Sequence, residues 1–141
     1  MPLLETWQEI GPHRVRTEED VIFLQVVGNL SMEETRAICA LSEAVLAEHG
    51  RLFMIANLHQ SKSFSPEGRK FLAEWGTKHT ITAIAQYGIS IVTQTISVLV
   101  AAAIRLLGGR AVEIKNVKDE AEARAWIAEQ KQRRLGLPSL N

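Results

Sequence analysis

The chain is short of cysteine and tyrosine and has no excess of either charge. Its 141 residues include one cysteine and one tyrosine, and sixteen basic residues balance sixteen acidic ones. A single cysteine, Cys39, excludes an intrachain disulfide and suits a reducing compartment. Zero net charge disfavours nucleic acid as a partner, because binding to phosphates requires a basic surface. No basic segment precedes an apolar core at the N-terminus, so we expect no secretory signal and a cytoplasmic protein.

Patterns typical of metal and catalytic sites are missing too. The histidines are scattered, and none is spaced from another histidine or a cysteine as metal ligands are. We find no nucleophile elbow, no phosphate-cradling glycine loop and no zinc-protease motif. We therefore expect no metal, no cofactor and no enzymatic activity. An enzyme would need an acid–base pair near His59 that the sequence does not show.

The most informative positive feature is a long segment without charge, residues 80–104. A membrane-spanning helix needs about 20 predominantly apolar residues. Serine, threonine and glutamine interrupt this segment, and its unbroken apolar part, residues 98–104, is too short. We therefore predict no transmembrane segment. We predict instead a buried strand at 81–87, a turn at Gly88 and a largely apolar helix at 90–107.

Strand and helix patterns alternate along the chain. A hairpin around Gly11-Pro12 is followed by predicted strands at residues 21–27, 52–58, 81–87 and 111–115. Helices are predicted after them at residues 31–49, 65–79, 90–107 and 118–134, and Ser31 and Ser65 provide the first two N-caps. The fold class is α/β, a mostly parallel mixed sheet with an N-terminal antiparallel hairpin and about four helices. We expect one domain, 1–134, and a flexible tail, 135–141.

The apolar spacing predicts which helix faces are buried. In the first helix these are Ile38, Leu41 and Val45, supported by two alanines, Ala37 and Ala44. In the last helix they are Ala121, Ala125 and Trp126.

Several local sequences carry a family resemblance. They are the Gly-Asn-Leu-Ser-x-Glu-Glu turn at 28–34, the Ser/Pro-started helix ending in Trp75, and Glu-Ala-Arg-Ala-Trp-Ile at 122–127. Together with the element order, they resemble the STAS-type, SpoIIAA-like proteins, which are similar to anti-sigma-factor antagonists and to the lipid-binding CRAL-TRIO fold. The resemblance covers roughly residues 21–130. It implies a SpoIIAA-like fold and a non-enzymatic regulatory role in protein interaction.

The resemblance also implies a phospho-acceptor serine, two residues after an aspartate, at the end of a central strand. The matching place here, Asn57-Leu58-His59, has neither residue. Serines that follow in a predicted polar loop would either substitute for it, or only cap a helix and keep the loop soluble. The candidate partner-binding or phospho-acceptor loop comprises Asn57, His59, Ser61, Ser63 and Ser65.

The predicted helix at 90–107 is apolar on more than one face, so a sheet would cover only part of it. Neighbouring helices, a second copy of the chain or an apolar ligand would cover the rest. The candidate residues for this interface or pocket are Phe71, Trp75, Ile96, Leu99, Val100 and Ala103.

Two hypotheses about function follow. The first is a self-associating regulatory module that binds a protein partner. The alternative is a carrier or sensor of a small apolar, lipid-like ligand, held between the helices at 66–79 and 90–107. Neither hypothesis involves nucleic acid.

Overall fold

Six strands and four helices alternate in the computed structural model, which describes residues 6–109 and 112–135. In chain order they are β1 (Gln8–Ile10), β2 (His13–Glu18), β3 (Val21–Leu30), α1 (Met32–His49), β4 (Phe53–Phe64), α2 (Pro66–Lys78), β5 (Ala83–Tyr87), α3 (Ile91–Leu106), β6 (Glu113–Asn116) and α4 (Glu120–Leu135). The predicted hairpin is therefore built from two strands.

The six strands form one sheet in which spatial order equals chain order, β1-β2-β3-β4-β5-β6. The first three pair antiparallel, and β3 to β6 pair parallel. This confirms the predicted fold class. Residues 136–141 of the predicted tail lie outside the described residues, and Leu135 is the last residue of α4.

The two faces of the sheet carry different helices. Right-handed crossovers between strands laid down in order place their connecting helices on the same face. Accordingly α1, α2 and α3 share one face, where Leu24 and Met54 pack against Ile38 of α1. The last helix, α4, covers the opposite face, where Trp126 packs against Phe53. Alternate residues of each strand thus serve two separate cores.

The helix starts follow the predicted capping chemistry. Ser31 Oγ accepts from the backbone N–H of Glu34, and the Glu34 carboxylate accepts from the Ser31 N–H. Ser65 accepts from the Gly68 N–H, with Pro66 as the first residue of α2. Gly50 ends α1 in the left-handed conformation, with φ of 74°.

Two predicted helix faces are wrong in part. In α4 the buried residues are Ala123, Trp126, Ile127 and Gln130, whereas Ala121 and Ala125 are exposed. The face of α4 that packs on the sheet is thus centred on Trp126. Ala123 lies three residues before it and Gln130 four residues after it, which places all three on one side of the helix. In α1, Ala37 and Ala44 are exposed, and Leu41 is half-buried.

A buried histidine fastens the N-terminal hairpin to α1. His13 is 0% exposed; its Nδ1 accepts from the Val27 N–H at 3.0 Å, and its Nε2 lies 2.9 Å from Glu34 Oε1. Because Nδ1 is an acceptor, the ring proton is on Nε2 and is donated to the carboxylate. The same Glu34 side chain completes the α1 capping box.

A buried carboxylate, Asp20, joins three parts of the fold. It lies in the turn between β2 and β3 and is 1% exposed. Arg51 Nε donates to Asp20 Oδ2 at 2.6 Å, and Lys131 Nζ lies 2.6 Å from Oδ1. Burial by itself raises the pKa of Asp20, but the hydrogen bonds and charges of Lys131 and Arg51 outweigh it and lower the pKa below its ordinary value.

Asp20→Asn is expected to lower the free energy of unfolding by about 2 kcal/mol at pH 7, because charged hydrogen bonds are lost at a buried position. The lowered native pKa means that this stabilisation is present above the unfolded-state pKa of about 3.9, and is lost as the pH falls through the native pKa. Urea unfolding at a series of pH values measures both effects, and the difference between variant and wild type should shrink in acid.

The matched control is Glu113→Gln, which removes an ion pair with Arg134 at an exposed site. It should change stability by less than about 0.5 kcal/mol. Equal losses in the two variants, or an Asp20→Asn effect that is independent of pH, would contradict the interpretation.

Candidate functional site

An apolar cavity lies between the sheet and helices α1, α2 and α3. Its volume is about 170 Å³. The residues lining it on the sheet side are Leu24, Val26, Leu30, Met54, Ala56, Leu58, Ser61, Ser63, Phe64, Ile84, Gln86, Val112 and Ile114. Those on the helix side are Thr35, Ile38, Cys39, Ser42, Leu72, Trp75, Ile81, Ile96, Val100, Ala101 and Ile104.

Strand alternation builds the floor of the cavity. Leu24 and Val26 of β3 point to the same face as Met54, Ala56 and Leu58 of β4, because residues two apart share a face. On the other face of these strands, Val21, Phe23, Phe53 and Ile55 belong to the core that α4 covers. The floor is therefore a direct consequence of the period-two apolar pattern in two paired strands.

A register irregularity changes which residues of β4 reach the cavity. Gln25 pairs with Asn57, but Val27 pairs with Gln60, so β4 carries one extra residue between these pairs. Such a bulge reverses the alternation beyond it. Ser61, opposite Gly28, is therefore on the cavity side. A second irregularity follows, because Gly28 pairs with Ser61 but Asn29 pairs with Ser63, which leaves Lys62 as a further extra residue; Ser63 and Phe64 beyond it also line the cavity. In a regular strand, Gln60 and Lys62 would follow Leu58 on that face; in the protein both are exposed.

Helix α3 forms the roof and is held at its C-terminal end. Ile104 is 5% exposed, and a Cβ on Gly76 of α2 would lie 2.7 Å from Ile104 Cδ1. The helices thus approach closely only because position 76 has no side chain. Ile96 and Val100 are half-buried on the cavity side. The apolar side chains that α3 and the residue after it expose are Ile91, Val98, Leu99, Leu106 and Leu107.

Three of the six residues predicted for an apolar interface or pocket line this cavity: Trp75, Ile96 and Val100. Phe71 and Ala103 are half-buried outside its lining, and Leu99 is 54% exposed. The sequence predicted a pocket between α2 and α3 alone. In the structure, α1 and four strands also contribute residues to the cavity lining. The contribution of α1 could have been predicted, because Ile38 and Ser42 are four residues apart and therefore lie on the same face of that helix.

The predicted loop of Asn57, His59, Ser61, Ser63 and Ser65 is wrong in its local structure. All but Ser65 belong to β4, which continues to Phe64 because β3 pairs with it throughout. Only Ser61 and Ser63 of this set reach the cavity. His59 is exposed and meets Tyr87 edge to face, with ring centroids 5.8 Å apart. The Asn57 side chain accepts from the His59 N–H at 3.1 Å.

The polar side chains on the cavity wall mostly form hydrogen bonds within the protein. The donor–acceptor pairs are Ser42 to the Ile38 carbonyl, Thr35 to the Ser31 carbonyl, Gln86 to Asn116 and Ser63 to Asn29. Ser61 differs from them, because the described residues supply no partner for its hydroxyl. No Asp, Glu, Lys, Arg or His is among the described lining residues.

The thiol of Cys39 lies in the cavity wall, so its reaction with a thiol reagent reports how accessible that wall is. This thiol, 3% exposed, lines the cavity from α1. Burial first, and the nearby Glu43 carboxylate second, raise the pKa of Cys39 to about 12. Glu43 also accepts from Trp75 Nε1 at 3.3 Å, and His79 stacks on Trp75 with ring centroids 4.6 Å apart. This contact closes the α1–α2 side of the cavity.

Other kinds of site were sought in the described part of the chain. No cluster of three or more His, Cys, Asp or Glu side chains is placed to hold a metal ion there. None of its helices combines the length and apolarity needed to cross a membrane.

Comparison with known proteins supports the fold. Residues 21–128 match the model of a family described as SpoIIAA-like. No curated protein matches the chain. An uncharacterized protein of the DUF3478 family from Shewanella loihica PV-4, with a SpoIIAA-like fold, is similar at a TM-score of 0.55 and 18% identity, covering 79% of this chain and 88% of that chain.

A second similar structure is the anti-sigma factor antagonist SpoIIAA in its unphosphorylated form. Its TM-score is 0.54 at 10% identity, and the match covers 87% of this chain and 98% of that chain. At such identities these two likenesses show a shared fold.

Alkylation of Cys39 should be slow, because with a pKa of about 12 only roughly one thiol in ten thousand is ionised at pH 8, and the thiolate is the reactive form. The reaction of the native protein with a thiol reagent measures this directly. The matched control is the double variant Cys39→Ala, Ala40→Cys, which moves the thiol to the exposed neighbouring position. Similar rates for the native protein and the control would show that the cavity wall is open to solvent.

Proposed function

The chain belongs to the SpoIIAA-like family, and we propose that it is a non-enzymatic regulatory module that holds a small apolar ligand in the cavity under α3. The observation that carries this proposal is the cavity itself, about 170 Å³ in volume and without a charged side chain among its described lining residues. Protein interiors normally pack as densely as organic crystals and leave few voids larger than a water molecule. We place the protein in the cytoplasm, where Cys39 stays reduced.

Energetics favour an apolar occupant. A void lined by hydrocarbon loses the dispersion contacts that a packed neighbour would supply. Water compensates poorly, because it needs two to four polar partners, and most polar groups on this wall are already bonded to the protein. Enclosed apolar cavities of about 150 Å³ stay dry and accept benzene-sized molecules. The cavity under α3 is similar in volume and is partly open to solvent. A ligand of similar size would restore the lost contacts.

The outer face of α3 favours a second role, self-association. Val98 is 62% exposed and Leu99 54%, and the helix carries no charge before Arg105. Contiguous apolar surface of this kind marks interaction sites. An uncharged helix face suits a second copy of itself, because an isologous contact brings identical groups together and here creates no like-charge repulsion. We propose that α3 mediates this contact.

Regulation by phosphorylation is the third part of the proposal, and its candidate sites are Ser63 and Ser65, near the start of α2. Ser65 Oγ caps α2 by accepting from the Gly68 N–H at 3.0 Å, so a modification there would disturb the cap. Ser63 is exposed, and its hydroxyl donates only to the exposed Asn29 side chain. We propose Ser63 as the phospho-acceptor that the fold can modify at least structural cost.

Native mass spectrometry of the protein purified from its source should show a retained small molecule. Ala101→Leu, on the cavity wall, should reduce the retained fraction at least tenfold and raise the free energy of unfolding by about 1 kcal/mol, because the new side chain fills the void. The matched control is Ala102→Leu, which adds the same group at an exposed position of α3. Masses of the bare chain alone, in repeated preparations, would count against the proposal.

Leu99→Glu should weaken self-association at least tenfold, because a carboxylate at the centre of the α3 contact would be buried without a partner. Sedimentation velocity over a range of protein concentrations measures the change. Gln94→Glu adds the same charge at an exposed polar position nearer the start of α3, and should keep most of the association. A wild-type protein that stays monomeric at high concentration would end this part of the proposal.

A further inference from the structure

We infer that the ligand is an uncharged molecule of roughly six to eight heavy atoms bearing one hydroxyl or carbonyl group, which the Ser61 hydroxyl binds. This inference rests on the proposed function, since it names the ligand class of the same cavity. It excludes ionised amphiphiles such as carboxylates and phosphate esters. Three independent features of the cavity support it.

The first feature is that no described residue lining the cavity carries a charge. Transferring an ionised group from water to an apolar site without a partner is far more costly than transferring a hydroxyl. Several charged side chains on the surrounding helices have partners outside the cavity, whereas the buried Nε of Arg69 on α2 has no hydrogen-bond partner among the described residues; Arg69 does not line the cavity. Arg36 lies over the outer ring face of Phe71 at 5.0 Å, Glu43 binds Trp75, and Glu34 binds His13. An anion in the cavity would therefore meet no charged side chain among the described lining residues.

The second feature is the β4 bulge. In a strand without the two register irregularities after Asn57, alternation would direct Gln60 and Lys62 toward the cavity face. The first irregularity places Ser61 there, and Lys62, the extra residue of the second irregularity, is exposed. The backbone thus keeps the ammonium group of Lys62 away from the cavity, although Lys62 is the neighbour of Ser61 in the chain. This local geometry favours a neutral ligand over an anionic one.

The third feature is a lining hydroxyl that has no partner among the described residues. The hydroxyls of Thr35 and Ser42 donate to carbonyls of their own helix, and Ser63 donates to Asn29. Ser61 is the lining hydroxyl for which the described residues offer no partner. A serine hydroxyl can donate one hydrogen bond and can also accept hydrogen bonds. It can therefore bind either the hydroxyl group of an alcohol or the carbonyl oxygen of a ketone. A pure hydrocarbon would fill the space but leave this group unused.

The test compares 1-hexanol with hexanoate at pH 8, two probes of nearly equal length that differ in charge. Chemical-shift changes of the cavity methyl groups of Ile38, Leu58 and Val100 report binding of each. We expect 1-hexanol to bind at least about a hundredfold more tightly than hexanoate, because the carboxylate loses its hydration without a partner. Benzene provides the apolar reference.

Variants at one position separate the roles of charge and hydroxyl. Ser61→Ala should weaken 1-hexanol roughly two- to tenfold and leave benzene unchanged, as expected for one lost hydrogen bond. Ser61→Lys should allow hexanoate to bind, because it adds a counter-ion at the cavity edge. Gln60→Lys, at the exposed neighbouring position, should not.

The outcomes distinguish this inference from the proposed function. Hexanoate that binds as tightly as 1-hexanol would overturn the inference and leave the apolar-ligand proposal standing. A Ser61→Ala variant that weakens benzene and 1-hexanol equally would overturn the assigned role of Ser61. Absence of binding by all three probes in the native protein would overturn both proposals.

Discussion

The parallel pairing of β3 with β4 is the constraint on which the rest of the structure depends. These are the longest strands, and their register decides which side chains reach α4 and which reach the cavity. A shift of one residue would exchange the two sets, moving Phe53 and Ile55 to the helix α1 side. The two register irregularities after Asn57 are shifts of that kind, and both lie in the far end of β4. They leave the main core intact while changing the chemistry of the cavity edge from amide and ammonium to hydroxyl.

Much of this fold is predictable from the sequence, because its elements are specified locally. The capping box at Ser31, the Ser65-Pro66 start and the Gly50 stop act over a few residues, so tertiary structure does not alter them. The second half of β4 is different. Its sequence, Gln-Ser-Lys-Ser, has the composition of a loop, and it is a strand only because β3 pairs alongside it. Pairing between distant segments overrides local propensity there.

The site is less predictable, since a cavity is a property of distances between elements. The apolar character of Trp75, Ile96 and Val100 is evident in the sequence, but the gap between them depends on how closely α3 approaches α2. Gly76 sets that approach through Ile104, and no periodic pattern encodes the contact. The proposed role of Ser61 could not be predicted from the sequence either. It depends on a register irregularity that reverses which side chains of β4 face the cavity after Leu58. In α4 the signal was available: Ala123, Trp126, Ile127 and Gln130 have regular helical spacing.

Helix α3 couples the two proposed activities, because its two faces belong to one rigid element. Ile96 and Val100 line the cavity, and Leu99, between them in sequence, faces solvent. A ligand that fixes α3 on the sheet lowers the conformational entropy still to be lost when a second subunit packs on the outer face. If both proposed activities exist, linkage makes this effect reciprocal, and self-association would raise the affinity for the ligand by the same factor. In the proposed function, this one helix would connect the two surfaces.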